Sequence, residues 1–375
     1  MIKFIKAIFF DLTGRIEKMQ ENLASTIISK EVDAAFLNDT RQLLSGLNSD
    51  ISILIESGDL EIEALASNNV IKYNTLHEAL LTIELFRYLI IINYGEAEEY
   101  FKKKIKRIYG EINCLQNPPL VTTISNSENY YWALPSYDII AVPTGEEQSL
   151  LNLPDLYHEM GHLIYNQYAQ FLKGGIEKSL SKYYNSEIQR VVTEQRAAWL
   201  ITFFREKLNY WIESWVMEFT CDLIAVYLVG PAYAWTNLKL TTLSSGKDQI
   251  FIDCPTHPSD EARMRAIFFL LEKMGHVDEL SEIKESWQAF LDATANAVPS
   301  NYQSIFPQEF IEELAENVYN GCKSIDLKNH KEQIETYGNP ISKILNDAWK
   351  QLFDNPAAFH QWEKDQIAII KNDVN

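Results

Sequence analysis

The stretch His158-Glu159-Met160-Gly161-His162 sets two imidazoles four residues apart with a carboxylate between them. On a helix, positions four apart lie on one face, one turn above the other, so both rings can reach a single ion. This is the ligand spacing of a zinc hydrolase, in which the intervening glutamate handles the proton of an attacking water. His158 and His162 are therefore candidate metal ligands and Glu159 the candidate general base. The competing reading is a surface helix with two ordinary histidines, and a third ligand decides between them.

Catalytic zinc takes three protein ligands and keeps a further position for water or substrate. Glu218 supplies the third. It lies in Trp215-Val-Met-Glu-Phe-Thr-Cys-Asp-Leu-Ile-Ala225, a run that stays apolar to Val229 and stops at Gly230-Pro231, which reads as a buried helix. Glu218 and Asp222 share one face of it, one turn apart. Burying both costs on the order of several kcal/mol unless a positive partner is present, and a divalent cation with its histidines is such a partner. Asp222 is placed behind the metal, accepting a hydrogen bond from the outer nitrogen of a liganding imidazole. The alternative, an amphipathic edge open to water, fits poorly with the apolar residues from Leu223 to Val229.

The elements that position these groups are also signalled. Asn152 suits a helix cap, Pro154 a first-turn position and Asp155 the positive end of the first helix, with Gly174-Gly175 as its stop. Before it, Val121–Ile124 and Tyr130–Ala133 are β-branched and aromatic. Pro135–Asp138 is a turn, and Asp138–Val142 is a further strand closed by Pro143-Thr-Gly145. A small sheet is expected, and its edge at Tyr131, Trp132 and Ala133 could hold an extended peptide by main-chain hydrogen bonds. A hairpin that only roofs the core is the plainer alternative. Elsewhere, residues from Lys18 to about Cys114 and the segments Leu280–Ala295, Pro307–Cys322 and Ile341–Phe353 carry helical periodicity.

With these residues in place, the chain resembles the gluzincin metallopeptidases of the CAAX prenyl protease and heat-shock membrane protease type. The resemblance rests on H-E-x-G-H, followed by Glu218-Phe-Thr-Cys221-Asp222-Leu-Ile-Ala225 against the family's E-x-x-[A/C]-D-x-x-A. Upstream, Asn129–Val142 is similar to an N-A-x-A-x-P-G-G-x-I-x-V stretch, and downstream His257-Pro258 through Arg263 resembles H-P-x-x-x-x-R. The four motifs occur in the family's order, and the resemblance covers roughly residues 117 to 275. Ser136 and Tyr137 stand where the family has two glycines, which implies a differently shaped turn and a narrower approach. The resemblance implies Zn2+ as cofactor and peptide-bond hydrolysis. His257 is then a candidate donor to the developing oxyanion, or only a loop residue before a proline. Arg263 is a candidate partner of Glu218, Asp222 or a substrate carboxylate, or a solvated side chain.

Composition narrows the setting. A formal charge of -19 over 375 residues argues against nucleic acid as a partner, since a phosphate backbone demands a basic surface. The basic cluster Lys102–Lys104 with Lys106 and Arg107 reads as a solvated helix end. Cys114, Cys221, Cys254 and Cys322 are scattered without a CxxC pair, which suits a cytoplasmic protein without a disulfide framework. No uninterrupted apolar run reaches the length of a membrane span, so prenylated or membrane-embedded substrates are not implied. Trp132, Trp211, Trp215, Tyr227, Tyr233 and Trp235 gather around the motifs and read first as core. The expected fold is α+β, predominantly α: a zincin-like core with a small β-sheet at 117–275, flanked by helical regions at 1–116 and 276–375. Those flanks could cover the cleft, bind a regulatory partner or form a homodimer. The expected activity is that of a zinc metalloendopeptidase. The alternatives are hydrolysis of a non-peptide amide, or a non-catalytic zinc protein of the same fold.

Overall fold

Apolar residues recur three and four apart along most of the chain, and those segments fold as helices. The computed structural model describes residues 2–25, 28–30, 32–94, 96–114, 117–125, 131–143, 149–244, 250–294 and 297–372. Helix makes up 78% and a three-stranded sheet is the other regular structure, so the class is α+β, predominantly α. The helices are α1 (Ile2–Ser25), α2 (Ala34–Glu56), α3 (Ala66–Ile83), α4 (Leu89–Asn93), α5 (Glu96–Glu111), α6 (Pro154–Leu172), α7 (Ile176–Thr193), α8 (Trp199–Tyr210) and α9 (Val216–Val229). They continue as α10 (Pro231–Ser244), α11 (Asp260–Lys273), α12 (Val277–Thr294), α13 (Tyr302–Ile305), α14 (Gln308–Ser324), α15 (His330–Tyr337), α16 (Ile341–Asp354) and α17 (Pro356–Asn372). Among the described residues no helix is long and apolar enough to cross a membrane.

The strands are β1 (Leu120–Ser125), β2 (Trp132–Leu134) and β3 (Ile139–Pro143), in the order β1-β3-β2. β2 runs antiparallel to β3 with Trp132 opposite Ala141, Ala133 opposite Ile140 and Leu134 opposite Ile139. Between them Pro135–Tyr137 makes a single 3-10 turn, and Asp138 takes φ 50, a left-handed conformation that a short polar side chain tolerates. Both expected strands flanking this turn are present. Tyr130 and the closure at Thr144-Gly145 lie outside the described residues.

The chain divides into two compact units, Met1–Glu99 with Leu120–Ile124, and Tyr100–Pro119 with Ser125–Asn375. In the first, α1, α2 and α3 pack on one another around Phe9, Leu12, Ile16, Phe36, Leu44 and Leu80. Asp33 starts α2 by accepting the Phe36 N–H at 2.9 Å, which satisfies one of the helix's free donors.

In the second unit α9 is the central element. It is apolar on every side except at Glu218 and Asp222, and α6, α10, α11, α14, α15 and α16 surround it. A helix apolar all round must be enclosed in this way. α8 runs into α9 through a five-residue π turn, Trp211–Trp215, in which the Val216 N–H bonds the Trp211 carbonyl. Trp211 and Trp215 are fully buried and stack on Phe219 and Phe306, at 5.2 and 4.9 Å between ring centroids. The aromatic cluster around the motifs is thus largely core.

Two local expectations are corrected. Asn152 does not cap α6: Leu153 occupies the cap position, and the Asn152 side chain accepts from Lys239 Nζ at 2.5 Å. The basic cluster is not a solvated end throughout, because α5 turns Lys104 inward, its ammonium 5.0 Å from the centre of the Phe101 ring.

At the end of α9, Gly230 takes φ +72, and a Cβ there would lie 2.9 Å from His330 Cδ2. His330 and His276 are both buried, with ring centroids 5.7 Å apart. Burial pushes His276 down to about 4, reinforced by Lys331, and pushes His330 down to about 3, reinforced by His276 and Lys331. Both rings are neutral when folded, whereas an unfolded histidine takes up a proton below about pH 6.5. Their contribution to stability is present above that pH and is lost as pH falls through it toward the folded values. Replacing His330 by Gln is expected to flatten the fall in unfolding free energy, from urea titrations, between pH 6.5 and pH 4 by an amount on the order of 2 kcal/mol. Parallel curves for the two proteins would remove this pair as the acid-sensitive element.

Candidate metal centre

The first motif falls on α6, which starts at Pro154 as its fixed φ favours. His158 and His162 face α9, one turn apart, with ring centroids 4.9 Å from each other. On α9, Glu218 meets them: His158 Nε2 lies 3.5 Å from Glu218 Oε2, and His162 Nε2 lies 3.7 Å from Oε1. One ligand atom from each of the three residues falls within 4.8 Å of the other two, so the group could hold a metal ion. The contacts are longer than good hydrogen bonds. They approach the separation, about 3.3 Å, of two ligand atoms bound at 2.0–2.1 Å to one tetrahedral ion. Glu218 Oε2 is buried and has no hydrogen-bond partner. An orphaned buried carboxylate oxygen flanked by imidazole nitrogens is the arrangement a cation satisfies.

Behind His158 stands Asp222, fully buried. His158 Nδ1–H donates to Asp222 Oδ1 at 2.8 Å, and Nε2, on the other side of the ring, faces Glu218 Oε2. Arg263, on α11, grips the same carboxylate twice, Nε to Oδ2 at 2.7 Å and Nη2 to Oδ1 at 2.6 Å. Of the partners open to Arg263 from sequence, the structure pairs it with Asp222. Tyr233, on α10, adds a third donor, its hydroxyl 2.5 Å from Oδ1. Nothing in the spacing of the sequence singled out Tyr233 for this position. It lies outside the four motifs and reads there as one more core aromatic.

His257 precedes α11 in an irregular segment. Its Nε2 lies 3.6 Å from Glu218 Oε2, while the side chain remains 56% exposed. Trp215 Nε1 donates to the Cys254 carbonyl at 2.9 Å, and the Cys254 N–H to the His257 carbonyl at 3.0 Å, so the π turn before α9 also anchors this segment. Cys254, like the other three cysteines, is free. Tyr131, Trp132 and Ala133 lie at or just before β2, the outer strand beside β3, and β2 packs against α6.

The electrostatics separate the charges sharply. Burial opposes ionisation of Asp222, yet Arg263 and then His158 hold its carboxyl well below the usual range. Burial likewise opposes ionisation of Glu218, and His158, His162 and Arg263 bring it down to about 2. The two carboxylates in turn raise His158 well above its ordinary value against its own desolvation. His162, desolvated and next to that charge, is pushed down to about 4. The pocket thus favours one positive charge between two fixed negative ones. Burial pushes Glu159 up to about 8, with His158 opposing the rise and Asp155 and Glu218 adding to it. A carboxyl near neutrality is suited to taking and returning a proton.

No protein-family model, curated protein or solved structure matches the chain.

The spacing of α6 and α9 depends on Gly161. A Cβ at this position would lie 2.9 Å from Cys221 Cα and 3.1 Å from the Cys221 carbonyl oxygen, both backbone atoms that cannot swing aside. Gly161→Ala is expected to force the helices apart and weaken metal uptake at least tenfold, read by chelator competition, although alanine is the better helix former. Unchanged affinity would show that the close approach is not needed for the site.

Proposed function

We propose that the protein is a zinc-dependent metallopeptidase in which His158, His162 and Glu218 hold the metal. The observation that carries this reading is the buried His-His-Glu group, with the orphaned Glu218 Oε2 beside His158 Nε2 and Oε1 beside His162 Nε2. Its donor set, two neutral imidazoles and one carboxylate, suits Zn2+ in a hydrolytic site. When bound, zinc would lower the pKa of a water toward neutrality and polarise the carbonyl under attack.

The residues of the chain divide the remaining work. Glu159, beside a ligand but outside the ligand group, takes the proton of the attacking water and passes it to the leaving amine. His257, partly exposed and close to Glu218, donates to the oxygen on which negative charge develops. Arg263 acts from behind the site, by keeping Asp222 ionised, rather than on substrate. The outer strand β2, packed on the helix that carries the ligands, supports binding of an extended peptide as an added strand, with Tyr131, Trp132 and Ala133 along it. The resemblance in sequence to gluzincins agrees with this assignment. The scattered free cysteines agree with a cytoplasmic setting.

Substituting Ala for His158, His162 or Glu218 should abolish stoichiometric zinc, whereas Glu159→Gln should keep zinc and lose turnover by several orders of magnitude. Mass spectrometry of a diverse peptide mixture treated with the zinc-loaded protein and with its Glu159→Gln variant tests this directly. Cuts made by the wild type alone support the reading. Equal cutting by both would rule out Glu159 as the base, and full zinc content in Glu218→Ala would rule out the third ligand.

A further inference from the structure

Asp222 ties His158 to both α10 and α11, through Tyr233 on the one and Arg263 on the other, and Tyr233 is the least expected of its partners. The hydroxyl lies 2.5 Å from Asp222 Oδ1 and 3.2 Å from His158 Nδ1, in a fully enclosed position, with the two rings nearly parallel at 6°. A phenol has one proton to give, and these two atoms are its choices. Donation to Nδ1 would require the imidazole proton on Nε2, facing Glu218, where it would block a cation. Donation to Oδ1 lets His158 keep its proton on Nδ1 and present a bare Nε2. Arg263 decides between them, because its two bonds keep Asp222 a carboxylate, the stronger acceptor by charge.

We propose that Tyr233 is a positioning residue for the metal centre: by bonding Asp222 Oδ1 it fixes the oxygen that receives His158 Nδ1–H, and so the angle at which Nε2 meets the ion. The inference rests on the metal-centre reading above. Three donors, from His158, Tyr233 and Arg263 Nη2, converge on Oδ1, while Arg263 Nε takes Oδ2, so removing the hydroxyl loosens the very oxygen that receives the imidazole. Arg263 alone aligns the carboxylate from the α11 side. The Tyr233 hydroxyl closes it from the α10 side, on the same oxygen as the imidazole.

The test is zinc affinity, by competition with a chelating dye, for the wild type, Tyr233→Phe, Asp222→Asn and the double variant. Phenylalanine keeps the ring in its packed position and removes only the hydroxyl. Tyr233→Phe should bind zinc about tenfold more weakly than the wild type. In the Asp222→Asn background the same change should cost less than about twofold, because the hydroxyl acts through the carboxylate. A role in packing alone would lower the unfolding midpoint and leave both affinity comparisons flat, which would overturn the proposal. So would a tenfold loss in both backgrounds, since Tyr233 would then act independently of Asp222. A wild type that takes up no zinc overturns the metal-centre reading and this inference together. A zinc-binding wild type beside an equally tight Tyr233→Phe overturns the inference alone.

Discussion

A carboxylate with no exposure to water, Asp222, is the constraint from which the rest of the site follows. Removing such a group from solvent is costly, and leaving it without a partner is worse, by about 3–5 kcal/mol when one member of a buried pair is deleted. The chain meets this with donors from three other helices: His158 from α6, Tyr233 from α10 and Arg263 from α11. One charge on α9 therefore sets the mutual placement of four elements. Glu218, one turn earlier, receives no such donor on its Oε2, so of the two buried carboxylates one is fully engaged within the protein and the other is left open to a cation.

Much of this was legible in the sequence because the informative residues break a local rule. Two histidines and a glutamate at helical spacing, and two acids in an otherwise apolar run, are costly unless they meet, and they do meet. Asp222 was placed behind an imidazole on that argument, and it bonds His158. Other features left no such trace. Asn152 resembles a cap, but a lysine eighty-seven residues away claims its side chain, a tertiary competition no window reveals. Lys104 belongs to a run of charges, yet the phase of α5 turns it inward. The role of Tyr233 depends on α10 crossing back over α6, while locally it looks like any core aromatic.

The helices α6 and α9 approach so closely that backbone meets backbone. Gly161 stands between the two histidines, and its missing side chain brings α6 onto Cys221, next to Asp222 and three residues after Glu218. The same residue that completes the motif's spacing along the chain also sets the distance across it. Side chains at His158 and His162 then reach Glu218 without extended or strained geometry being required of α9.

The π turn at Trp211–Trp215 carries a consequence of a different kind. A π turn holds one more residue than an α-helical turn would, so it acts as a phase adjuster between α8 and α9. Shortening this stretch by one residue would rotate every side chain of α9 by roughly 100° relative to α8. Glu218 and Asp222 would then face away from α6 while α8 stayed unchanged. The carboxylate face of α9 and the partly exposed face of α8 can therefore coexist on one continuous helix only because of a single surplus residue, whose position is locked by the two buried tryptophans at its ends.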